Sequence, residues 1–185
     1  MGKNTIVKDT LTLLAITLIC GLLLGLVYDQ TKAPIAQAAE KAKQEAYAKV
    51  YPDGEFTSDD ALNTALESFA ADDNDAVISE VMSANGGEGY VFSCQAKGYG
   101  GPVKLAVGVK ADKTITGLSV LSMSETPGLG AKCTNEDFQA QFAGIQADKV
   151  VINQDYDQIS GATITSSAIM RAVNATLKFV AENAN

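Results

Sequence analysis

The chain has 185 residues, 46% of them apolar, with a net charge of −8 and a pI near 4.5. That is room for one domain of ordinary size and a real core, and the acidity argues against nucleic acid as a partner because phosphate backbones repel it. There is no His and no Trp; without His a Ser-His-Asp triad is impossible, the commonest metal ligand is missing, and no metal site is expected.

After a short N-terminus, residues 1–9, the 19 residues from Thr10 to Tyr28 carry no charge. About 20 apolar residues cross the hydrocarbon core as a helix, so 10–28 reads as a transmembrane anchor in contact with lipid, with Tyr28 at the interface. Lys3 and Lys8 lie on its N-terminal side. The positive flank places the N-terminus in the cytoplasm and the rest outside the cell (inner) membrane. Ala36-Gln37-Ala38 has the form of a signal-cleavage site, but the apolar run is longer than a signal h-region and ends well before it.

Residues 29–52 read as a helical stalk. Pro34 marks its start, Ile35 to Val50 are rich in Ala, Lys, Glu and Gln, and Tyr51-Pro52 ends it. Residues 53–185 then form a single extracytoplasmic domain. A short helix is expected around Asp60 to Phe69. Strands are expected at Ala76 to Ala84, Gly89 to Ala96, Val103 to Val109 and Thr114 to Ser122, the last two joined as a hairpin through Lys110 to Lys113. Tight connections between consecutive strands argue for a largely antiparallel sheet with packed helices, an α+β fold. Thr134 and Asp137 look like a capping pair for a helix from Asn135 to Phe142. Lys149 to Ile152 reads as a short strand. A last helix runs from near Thr165 to Ala181, with Ile169, Val173, Leu177 and Val180 on one buried stripe. Cys94 and Cys133 fit either one disulfide or two buried thiols, the second reading being slightly favoured.

Two loops could carry chemistry. Asp157-Gln158-Ile159-Ser160-Gly161-Ala162-Thr163 lies directly before the last helix, where unpaired N–H groups and the helix dipole favour an anion. The same residue types also make plain helix caps. Glu125-Thr126-Pro127-Gly128-Leu129-Gly130 has two glycines and a proline; it is either a rigid loop able to lie against a planar ligand or an ordinary turn.

Together with the N-terminal anchor and Gly98 to Val103 (GYGGPV), the segments SETPGLGAK, Ser124 to Lys132, and Asp157 to Thr163 resemble the FMN-binding domain family. The likeness is to the G subunit of the Rnf complex and its relative, the C subunit of the sodium-pumping quinone reductase. The Asp-led pattern ending in Ser-Gly-Ala-Thr matches the family's flavinylation motif in full.

The resemblance implies that a flavin transferase, with magnesium, takes FMN from FAD and joins its phosphate to the Thr163 hydroxyl. Asp157 and Ser160 would be read by the transferase. Gly161 and Ala162 would let the phosphate approach, and Thr165 or Ser166 would contact it. Glu125, Thr126, Gly128 and Leu129 would lie by the isoalloxazine ring, with Tyr99 as a further neighbour. The function implied is that of an electron carrier, without turnover of its own, in an ion-translocating ferredoxin:NAD oxidoreductase, beside the other Rnf subunits. The alternatives are the related quinone-reductase component, another flavinylated carrier, and an anchored binding module without flavin.

Overall fold

In the computed structural model of the protein, the residues described are 3–58, 60–69, 71 and 75–183. The chain divides into two units, one ending at Ala42 and one from Lys43 onward. Helix α1 runs Lys3–Val50. Its N-terminal part is long and apolar enough to cross a membrane, and its most apolar window buries none of its surface in the protein.

Pro34 lies inside α1 and does not start a second helix. Proline removes one N–H donor from the ladder, and the strong helix formers on either side of it carry the helix through.

The second unit is built on five strands in the order β1-β2-β3-β4-β5, each antiparallel to its neighbour. They are β1 Phe56–Ser58, β2 Ala76–Ala84, β3 Gly89–Lys97, β4 Pro102–Lys110 and β5 Ile115–Ser122. Helix α2, Asp60–Ser68, connects β1 to β2. Four strands fall close to where alternation and β-branched content put them. β1 was not expected, since three residues are too few to show a period.

The two faces of the sheet are covered by different helices. Tyr90, Phe92, Cys94, Val103, Leu105, Val107, Ile115 and Leu118 share a core with α4, Thr163–Asn183. On α4 the expected stripe of Ile169, Val173, Leu177 and Val180 is fully buried there. Val91, Ala84 and Ala106 point the other way and pack against Ala46, Tyr47, Val50 and Tyr51, around the C-terminal end of α1. A register shift between Ile78 and Glu80 switches the face that even-numbered residues of β2 take: Ile78 and, beyond the shift, Val81 reach the α4 core, while Met82 and Ala84 turn to the α1 side.

Gly108 and Gly117 pair across β4 and β5. A Cβ on Gly117 would lie 3.0 Å from Val50 Cα, and one on Gly108 2.6 Å from the Val50 carbonyl. That carbonyl, left over at the helix end, accepts a hydrogen bond from Thr116 Oγ1 at 2.6 Å. Lys43 and Tyr47 both donate to Glu80 Oε2, at 2.9 and 2.8 Å.

Between β5 and α4 the chain forms a 3-10 turn, Gly130–Thr134, and a short helix α3, Glu136–Ala140. The expected Thr134–Asp137 cap does not form. Asn135 is the N-cap, and the Thr134 hydroxyl donates back to Ala131 O within the preceding turn. Residues 149–152 are no strand: Ile152 makes one isolated bridge to Tyr156 inside an otherwise irregular loop. Cys94 and Cys133 are free and buried. Burial pushes the Cys94 thiol up to about 12; burial and then the nearby Glu125 raise Cys133 to about 11.

Candidate functional site

The segment leading into α4 is shaped from beneath by Ser166. Its hydroxyl accepts the Ile159 N–H at 2.9 Å and donates to Ala162 O at 3.1 Å. The Ser166 carbonyl accepts the Tyr156 hydroxyl at 2.8 Å. Burial raises the Tyr156 phenol above its ordinary value, which keeps that proton on the donor. Asp157 N–H donates to Gln141 Oε1 at 2.8 Å and Gln158 N–H to Asn153 Oδ1 at 3.3 Å. Gly161 turns the chain at φ 76°, in the left-handed region that favours glycine. The helix then begins at Thr163, two residues earlier than the pattern suggested, so Thr163 is its first residue and its side chain is exposed.

Glu125 joins this helix start to the loop after β3. Its Oε1 accepts the backbone N–H groups of Tyr99 and Gly100 at 3.0 and 3.1 Å. Its Oε2 accepts the Thr165 hydroxyl at 2.7 Å. Gly100 packs against the Ser124 carbonyl so closely that a Cβ would overlap it.

These elements line a cleft of about 550 Å³ formed by Tyr99, Glu125, Thr126, Leu129, Gly130 and residues 161–165. Its volume is that of an ordinary small-molecule site. Thr163 lines it together with Leu129 and Ile164, which are half exposed, and with the exposed Tyr99 of the loop after β3.

The structure therefore brings together Tyr99, Glu125, Thr126, Leu129, Gly161, Ala162, Thr163 and Thr165. Gly128, Ser160 and Asp157 are exposed on the same loops but do not line the cleft. Ser166 does not line it either. It is fully buried, and its hydroxyl bonds the Ile159 N–H and the Ala162 carbonyl. Thr165 is buried, and its hydroxyl donates a hydrogen bond to Glu125. Sequence reasoning missed Ile164 as a lining residue and Tyr156 as a brace. The run of three glycines in residues 98–101 was the visible signal that another chain segment approaches there.

Residues 98–178 match the family model described as an FMN-binding domain, and residues 1–50 match an RnfG N-terminal region. The chain is similar to the G subunit of an ion-translocating oxidoreductase complex of Methanosarcina acetivorans, 32% identical and covering 96% of each chain. It is also similar to the G subunit of the proton-translocating ferredoxin:NAD(+) oxidoreductase complex of Clostridium ljungdahlii, 28% identical over 96% of this chain and 93% of that one. Among solved structures it is similar to the C subunit of the Na(+)-translocating NADH-quinone reductase of Parabacteroides distasonis, 32% identical, TM-score 0.43, over 54% of this chain and 61% of that one.

Proposed function

The chain belongs to the G-subunit family of ion-translocating oxidoreductase complexes, and we propose that it works there as an electron carrier with FMN held covalently on Thr163. The observation that carries this is the meeting of an exposed threonine, the first turn of a 21-residue helix and the Glu125–Gly130 loop around one cleft.

The residues present fit the cofactor. The α4 N-terminus offers N–H groups and a favourable dipole to a phosphate. Gly161 keeps the approach to the backbone open, and Tyr99, Leu129 and Ile164 offer apolar surface to a planar ring. Asp157 and Ser160 are exposed where a transferase can read them. Attachment would join the Thr163 oxygen to the FMN phosphorus of FAD, with the pyrophosphate bond broken and AMP and the hydroxyl proton released. Once bound, flavin supplies reversible electron transfer, while the protein sets its position and surroundings.

The α1 helix holds this domain at the membrane beside the other components of the complex, with the domain on the extracytoplasmic side. The match to G-subunit relatives over almost the whole length of both chains supports this assignment over the quinone-reductase alternative.

The test is peptide mass spectrometry of denatured protein made together with an active flavin transferase. An FMN adduct on Thr163 is expected, and none in Thr163→Val. That variant keeps its thermal stability within about 0.5 kcal/mol, because the side chain is exposed. Flavin that survives denaturation in Thr163→Val refutes the attachment.

A further inference from the structure

A buried carboxyl group is costly unless its oxygens are satisfied. Glu125 is 6% exposed. Among the described residues no Lys or Arg forms an ion pair with it. Its oxygens are instead filled by three donors that lie 26, 25 and 40 residues away along the chain: Tyr99 N–H, Gly100 N–H and the Thr165 hydroxyl. The glycines nearby are matched to it. A Cβ on Gly98 would overlap Oε1, and one on Gly130 would come within 2.5 Å of both Oε2 and Thr165 Oγ1. Three separate segments are thus fitted around one side chain.

We infer that Glu125 is a positioning residue: it fastens the Tyr99–Gly100 arm to the first turn of α4, and so sets the distance between Tyr99 and Thr163 across the cleft. It acts through Tyr99 and Thr165. The part concerning flavin rests on the cleft being the flavin site; the part concerning the arm does not. Loss of the carboxyl frees two N–H groups on an arm whose Tyr99 side chain is already 73% exposed, so the arm opens locally without global unfolding. A bound ring then loses a fixed neighbour, and its absorption band changes.

Two readouts on the full-length chain in detergent separate the claims. The first is amide hydrogen exchange at Tyr99 and Gly100 in protein made without the transferase. Glu125→Ala is expected to speed exchange there by about tenfold or more, since the hydrogen bonds that protect both amides are lost. Glu125→Gln restores protection, because its amide oxygen accepts both N–H groups. The second readout is the visible flavin spectrum, with the mass at Thr163, in protein made with the transferase. Glu125→Ala is expected to shift the spectrum and Glu125→Gln to return it towards that of the parent.

Exchange at the parent rate in Glu125→Ala overturns the inference. Should the alanine variant fail to fold, the isosteric Thr165→Val, which frees Oε2 and loosens the carboxyl, is expected to speed exchange at the same two amides; parent-rate exchange there overturns it equally. A parent chain lacking flavin at Thr163 refutes the proposed function alone, while the exchange result still decides the role of Glu125.

Discussion

Replacing Ser166 by Ala removes a single oxygen and separates two roles for that residue. In the structure the hydroxyl is fully buried, and it is the acceptor for the Ile159 N–H at 2.9 Å. The Ala162 carbonyl loses one donor but keeps the Ser166 backbone N–H at 3.0 Å. The cost is therefore dominated by one buried N–H left without a partner, about 1–3 kcal/mol. The better helix propensity of Ala offsets roughly 0.5 kcal/mol of that. A net loss of about 0.5–2.5 kcal/mol corresponds to a fall in Tm of about 2–10 °C for a domain of this size. Thermal unfolding in detergent measures it, with Ser160→Ala, at an exposed position of the same loop, as the control expected to change little. Hydrogen exchange at Ile159 should rise in parallel. Parent-like stability combined with loss of flavin would refute the reasoning, because it would mean that the hydroxyl serves the phosphate and not the loop.

Further outcomes follow from the core and the thiols. Ile169→Ala, at a fully buried position on α4, should cost about 2–5 kcal/mol in denaturant unfolding. A chain starting at Lys43 should fold as a soluble domain by circular dichroism, whereas one starting at Asp53 should aggregate, since it uncovers Ala84, Val91 and Ala106. Cys94 and Cys133 should resist alkylation at pH 8 in the folded protein and react in urea. The folded-state values of both thiols are raised above the ordinary value of 9.0, so the unfolded chain ionises first. Their contribution is complete below pH 9 and is lost as pH rises towards 11 and 12; denaturant midpoints should fall over that window.

Much of the architecture was legible because it rests on local patterns. The uncharged run from Thr10 to Tyr28 shows its length directly, the four long strands alternate in register with their faces, and Ile169, Val173, Leu177 and Val180 repeat at helical spacing. The segment before α4 and the Glu125–Gly130 loop stood out through their order in the chain, while their meeting around one cleft is a product of the fold. Other features depend on chain segments far apart in sequence. Pro34 reads locally as a helix start, yet the helix formers on both sides carry α1 past it. Ser166 reads as one more free hydroxyl until Ile159 folds back over it, and Thr165 likewise until Glu125 arrives from 40 residues away. The glycines at 98, 100, 108, 117 and 130 look like loop and strand punctuation, but most are spaces left for a specific neighbour. Local spacing determines which elements form; which oxygen meets which N–H is decided only when the sheet brings its edges and helices together, because those bonds join residues with no periodic relation in sequence.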